Sequence, residues 1–167
     1  YSSPLYDAYI QKNFTISNSV VVSPDIGGVA RARKLAKNNK LPIAIVDKRR
    51  KKPGLSEIMH IIGDIEGKDC IIIDDIIDSG GTLCNAANAL IDKGAKSVVA
   101  FVTHAVLSGD ALTKVGNSKL KKLVVTDTIE NDFNNNSNKI EFLSCSELFA
   151  KAIDNIANSR SVSHLFD

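Results

Sequence analysis

The chain has 167 residues, 44% hydrophobic and 24% charged, enough for one domain with a real core. A net charge of +2 is too small to argue for a nucleic-acid surface, and no apolar run is long enough to span a membrane. The first residues lack the basic-then-apolar layout of a secretory leader, and Cys70, Cys84 and Cys145, odd in number and set in apolar or helical contexts, read as reduced core thiols of a cytoplasmic protein.

Ser2-Ser3-Pro4 is a helix start, with Ser3 as the expected N-cap, and predicts a helix to about residue 12. Residues 20–23 form a short apolar strand, 24–28 a loop, and 29–39 a helix rich in Ala, Arg and Leu. A second strand over 42–47 leads into a basic loop punctuated by Pro53-Gly54; 57–62 is strand-like, as one arm of a hairpin. Strands follow at 69–73, 97–103, 123–126 and 140–143. Helices are predicted over 82–93, with Gly94 at the left-handed C-cap, over 108–115, and over 146–158 with Ser146 as N-cap. Residues 131–138 hold five Asn and read as a surface loop. Short, mostly non-alternating apolar strands that alternate with helices predict an α/β fold, a mostly parallel sheet flanked by helices. The whole of 1–167 is expected to be one domain.

The most informative stretch is I-I-I-D-D-I-I-D-S-G-G-T, residues 71–82. A strand ends in Asp74 and Asp75; Asp78, Ser79, Gly80, Gly81 and Thr82 follow, and a helix begins. Glycines let the backbone turn tightly and approach a ligand, and the free N–H groups of a helix start hold phosphate. Asp78 or Ser79 as a plain helix cap accounts for one carboxylate, and leaves Asp74 and Asp75 without a role at the edge where α/β ligands sit. These two are acceptors for sugar hydroxyls or, through water, for Mg²⁺.

A second strand–turn–helix, S-P-D-I-G-G-V-A-R-A-R at 23–33, offers Asp25 to Mg²⁺ or a hydroxyl, or as a cap of its own turn. Between the two turns lies D-K-R-R-K-K-P-G, 47–54, with five consecutive basic residues. Alone, such a run reads as a solvated loop or nucleic-acid patch; between two anion-binding turns it suits the charge of a transferring phosphoryl group. His60, His104 and His164 fall in separate elements and read as structural, though His104 lies just past a strand end.

D-D-I-I-D-S-G-G-T resembles the phosphoribosyl-diphosphate (PRPP) loop shared by type I phosphoribosyltransferases and PRPP synthetases. P-D-I-G-G-V-x-R-A and the basic loop resemble the synthetases, and the tail S-V-S-H-L-F, 161–166, resembles the C-terminal signature of their phosphate-activated class. The resemblance implies a phosphoribosyltransferase-like fold and the C-terminal domain of a two-domain ribose-phosphate diphosphokinase, the N-terminal domain being absent. It implies transfer of diphosphate from ATP to the 1-hydroxyl of ribose 5-phosphate, giving PRPP and AMP. Asp78–Thr82 would hold the 5-phosphate, Asp74 and Asp75 the ribose hydroxyls, Asp25 the Mg²⁺, and Lys48 and Arg50 the charge on the transferred group. The tail S-V-S-H-L-F, 161–166, resembles an allosteric phosphate/ADP site, with Ser161, Ser163 and Phe166 as matching positions. Ser79 replaces a usual Thr, Ala105 a usual Gly or Pro, and Glu130 a usual Pro. In the family, the absent half carries the adenine loop and a catalytic histidine, and the full-length protein is a homo-oligomer. The chain alone is therefore expected to bind sugar phosphate but to be weakly active or inactive. The alternatives are a type I phosphoribosyltransferase and a non-catalytic partner of true synthetases.

Overall fold

The computed structural model describes residues 2–49, 58–130 and 138–166; the side chains of Lys48, Arg49 and Ile58 also lie outside the description. The strands are β1 (Ser19–Ser23), β2 (Ile43–Arg49), β3 (Ile58–Ile62), β4 (Asp69–Ile77), β5 (Ser97–Ala105), β6 (Lys122–Thr126) and β7 (Ile140–Leu143). They make one sheet in the order β3-β2-β1-β4-β5-β6-β7. Every neighbouring pair is parallel except β2 with β3, which is antiparallel and closes with Arg49 opposite Ile58. The chain begins in the middle, moves out to β3, then crosses to β4 on the other side of β1. The winding therefore reverses between β1 and β4, where α/β folds open a crevice at the strands' carboxyl ends.

Both faces of the sheet are apolar, and alternate residues of each strand serve opposite faces. Val21, Ile71, Ile73, Val99, Phe101 and Val124 face α1 (Ser3–Asn13) and α2 (Val29–Asn39), meeting Tyr6, Ile10, Ala32 and Leu35. Val20, Val22, Cys70, Ile72, Val98, Ala100, Leu123 and Val125 face α3 (Gly81–Asp92) and α4 (Ala111–Asn117), meeting Leu83, Ala86, Leu90 and Val115. Phe101 is fully buried, with its ring centroid 5.2 Å from Tyr6 and 5.4 Å from Tyr9; this aromatic cluster fastens α1 to the sheet. Polar contacts mark the strand ends. Ser97 Oγ donates to Asp69 Oδ1 (2.7 Å) between the starts of β4 and β5, and Thr126 Oγ1 donates to the Thr103 carbonyl (2.6 Å) near the ends of β5 and β6. Cys70, Cys84 and Cys145 are buried and unpaired, and burial pushes the Cys70 thiol up to about 12.

The expected seven strands and five helices are present, with shifted boundaries. Helix α2 and strand β7 match the expected bounds. Strand β4 does not stop at Ile73 but runs through both aspartates to Ile77, because its ladder with β5 continues at Asp74↔Val102, Ile76↔His104 and Ile77↔Ala105. Helix α4 begins at Ala111 rather than 108, since Ser108 is used to hold the preceding loop. The helix α5 (Ser146–Ala157) is capped at Cys145, not Ser146, and α1 at Ser2, not Ser3. The Ser2 hydroxyl shares a hydrogen bond with the Thr103 hydroxyl (2.7 Å) instead of capping. Gly94 has φ +93 after α3, in the left-handed region expected of it. The asparagine-rich loop, apart from Asn138, lies outside the described residues. No described helix is long and apolar enough to cross a membrane.

Candidate functional site at the carboxyl edge of the sheet

The reversal brings the two glycine-containing turns together. The register Val22↔Ile72 sets the residues after Ser23 alongside those after Ile73, and Ser23↔Ile45 sets Asp47 and Lys48 on the other flank. Lys48 thus lies in the backbone of β2 one residue before its end, at the same edge, while Arg50, with residues 51–57, lies outside the described residues.

Residues 78–80 turn the chain from β4 into α3. Gly80 is its N-cap at φ +74, a conformation that costs glycine nothing and an L side chain about 1 kcal/mol or more. The first helical bond of α3 is Cys84 N–H to Gly80 O, so the amides of Gly81, Thr82 and Leu83 have no carbonyl of a preceding turn to bond. These amides can hold phosphate. The loop after β5 clasps the turn from outside: Ser108 Oγ donates to Asp78 Oδ1 (2.5 Å) and Ser108 N–H to the Asp78 carbonyl (3.1 Å). Lys114 Nζ donates to the Ser79 carbonyl (3.3 Å) and pairs with Asp110 (2.7 Å), which sets a cation beside the turn. Asp78, Ser79 and Thr82 are exposed, and Gly81 is half-buried.

Asp25 accepts the Gly28 N–H on Oδ1 (2.8 Å), the capping role that its turn alone would give it. The hydroxyl of Ser23 donates to the Asp25 carbonyl (2.6 Å). A Cβ at Gly28 would lie 2.9 Å from Ser23 Oγ and 3.6 Å from both Asp25 Oδ1 and Arg31 Nη1, so the turn has no room for one. Arg31 is the residue that the sequence reading did not single out. Its Nη1 donates to Asp74 Oδ1 (2.9 Å) and its Nη2 to Asp75 Oδ2 (2.5 Å), joining α2 to the end of β4. Its membership of the P-D-I-G-G-V-x-R-A segment is the one signal in the sequence that could have found it.

Burial pushes the Asp74 carboxyl up to about 6, against the pull of the Asp75 amide and of Arg31. Between the ordinary carboxylate value and about pH 6, the folded chain holds a proton that the unfolded chain releases. Stability from this group is therefore present at the acid end and lost as pH rises through about 6. Asp74→Asn is expected to flatten that part of the stability profile in urea melts between pH 4 and 7; an unaltered slope would mean that Asp74 is ionised throughout.

His104 Nδ1 lies 2.9 Å from Thr128 Oγ1, beside the crevice. His60 is exposed on β3, and His164 sits 3.5 Å from Asn155 Nδ2 near the tail, so the three are in separate places. The tail forms a short 3-10 turn, Ser163–Phe166, packed against α1 and α5. Ser161 accepts Asn155 Nδ2 on its carbonyl (3.2 Å) and the Ser163 N–H on its hydroxyl (3.2 Å), away from the phosphate turn.

A doubly flanked, mostly parallel sheet with a glycine turn and a helix start at its carboxyl edge defines an α/β domain whose crevice opens at that edge. The chain belongs to the phosphoribosyl synthetase-associated domain family, whose sequence model matches residues 48–167. The ribose-phosphate pyrophosphokinase of Brucella melitensis is 53% identical over 168 residues, covering 100% of this chain and 54% of that protein. The phosphoribosylpyrophosphate synthetase structure from Mycobacterium smegmatis superposes with a TM-score of 0.85 at 33% identity, over 95% of this chain and 51% of that one. An adenine phosphoribosyltransferase from Giardia lamblia shares the fold alone, with a TM-score of 0.60 at 18% identity over 74% of this chain and 75% of its own. The chain thus spans about half the length of the synthetases it matches.

Proposed function

We propose that this chain is the C-terminal, sugar-phosphate-binding half of a cytoplasmic ribose-phosphate diphosphokinase, folded as a single domain. The observation that carries the reading is the convergence at one sheet edge of the 78–82 turn, the paired Asp74 and Asp75, and the Asp25 turn. Amides and hydroxyls of Asp78–Thr82 hold the 5-phosphate, and Asp74 and Asp75 accept the ribose hydroxyls. The sugar's 1-hydroxyl attacks the β-phosphorus of ATP: the O1–Pβ bond forms, the bond from Pβ to the α-phosphate oxygen breaks, the hydroxyl proton leaves, and PRPP and AMP result. Lys48 and Arg50 stabilise charge on the transferred group.

The donor set fits Mg²⁺. Asp25 is exposed and has one carboxylate oxygen, Oδ2, without a partner among the described residues, and no described group of three or more His, Cys, Asp or Glu forms a ready cage. Mg²⁺ suits such a site because it takes one or two carboxylates and keeps water and substrate phosphate as its other ligands. When bound, it neutralises phosphate charge. The homo-oligomer belongs to the longer protein; α5 supports this by exposing Phe149, Ile153 and Ile156 along one face. Ser161, Ser163 and Phe166 remain proposed contributors to a phosphate/ADP site.

The test is PRPP and AMP formation by the purified chain from ribose 5-phosphate, ATP and Mg²⁺. Little or no turnover is expected, since the adenine-binding half is not supplied. Full turnover by the 167-residue chain would overturn the half-enzyme reading. Base-dependent consumption of PRPP would favour a phosphoribosyltransferase, against which stands the match to synthetases over the whole chain. Co-purification with a full-length synthetase, without activity of its own, would favour a non-catalytic partner.

A further inference from the structure

Successive residues of a strand point to opposite faces, yet one guanidinium bonds both Asp74 and Asp75. Arg31 thus joins the two carboxylates at the end of β4. It takes one oxygen from each. Asp74 Oδ1 also accepts the Asp75 N–H (2.9 Å). Asp74 Oδ2 and Asp75 Oδ1 have no hydrogen-bond partner among the described residues. Two acceptor oxygens on adjacent residues are thus left for two donors, the count that a vicinal diol presents.

The strap is a poor source of stability. The Arg31 side chain is 35% exposed and that of Asp75 58%, and ion pairs this wet contribute little. Its geometry is specific nonetheless: a planar fork reaches two carboxylates at once, which an ammonium does as a point charge.

We propose that Arg31 is a positioning residue that aims one oxygen each of Asp74 and Asp75 at the 2- and 3-hydroxyls of a ribose phosphate, and so sets the preference for ribose over 2-deoxyribose. The proposal rests on the sugar-phosphate reading above. A site built to accept a hydroxyl rejects the analogue lacking it, because the half-buried Asp74 acceptor is left unpaired. Without Arg31 the two carboxylates repel, and the paired acceptors are lost.

The experiment is calorimetric titration of the full chain with ribose 5-phosphate and with 2-deoxyribose 5-phosphate, both with Mg²⁺. It uses wild type, Arg31→Gln and Arg31→Lys, each confirmed folded by thermal melting. Wild type is expected to prefer ribose 5-phosphate by about 10-fold. In Arg31→Gln the ratio falls towards one, with the loss on the ribose ligand; Arg31→Lys regains part of it. A purely structural strap would weaken both ligands together. An unchanged ratio in the folded variants overturns the proposal. Equal wild-type affinity for both sugars overturns it too, while leaving the phosphate turn in place. Binding of neither sugar by folded wild type overturns the sugar-phosphate reading itself.

Discussion

Asp78→Ala is expected to weaken binding of ribose 5-phosphate, in the presence of Mg²⁺, by about 10- to 100-fold. That is the equivalent of one or two hydrogen bonds to charged groups, about 1.5–3 kcal/mol. The Asp78 carboxylate accepts the Ser108 hydroxyl at 2.5 Å and ties the loop after β5 to the turn that leads into α3. Its loss leaves the turn held by the Ser108 N–H and by Lys114. The amides of Gly81–Leu83 then lose the fixed aim that makes a helix start a phosphate site. Calorimetry on the folded variant checks this. Undiminished affinity would move the phosphate away from residues 78–82. Absence of binding by folded wild type would overturn the sugar-phosphate reading of this chain.

Phe101→Ala is expected to cost about 3–5 kcal/mol, the usual range for a fully buried aromatic. Phe101 is 0% exposed on β5 and is the common neighbour of Tyr6, Tyr9 and Phe14, whose ring centroids lie 5.2, 5.4 and 6.3 Å away. Those three residues belong to α1 and its C-cap, so truncation empties the seat of a whole helix. For a chain of this size the melting temperature should fall by about 10 °C. Phe101→Leu, which keeps most of the volume, should cost far less. Thermal melts of both variants decide it; a loss under 1 kcal/mol in Phe101→Ala would show that α1 is anchored by its other contacts.

Much of this was legible in the sequence. Helix α2 was readable in full because its propensity, its glycine turn and its end all agree. Strands β1, β4, β5 and β6 were readable because both of their faces are apolar. The ends of β4 and β5 were not. Asp74, Asp75 and His104 look like loop residues, yet they lie in a ladder that outruns the helical layers, where a strand's side chains face the crevice and a carboxylate is tolerated. Helix α4 starts three residues later than its sequence predicts, because the Ser108 hydroxyl serves Asp78 in the turn after β4. Such a contact between distant segments leaves no local signal. Arg31 was unreadable as a site residue for the same reason. On a helical pattern it is one more charged position, and only the pairing of β1 with β4 brings it to two carboxylates more than forty residues away.

Because both faces of the inner strands are apolar along their middles, a slip of one residue would there exchange one oily face for another. Hydrophobicity therefore cannot act as the ruler of this sheet. The ruler is polar and sits at the margins: Ser97 on Asp69 at one end, Thr126 on the Thr103 carbonyl at the other. A displacement of β5 by one place mismatches both marks at once. The same few small hydroxyls keep β4 level with β5 and β5 with β6, and so hold the turn at Asp78 beside the Ser108 that clasps it.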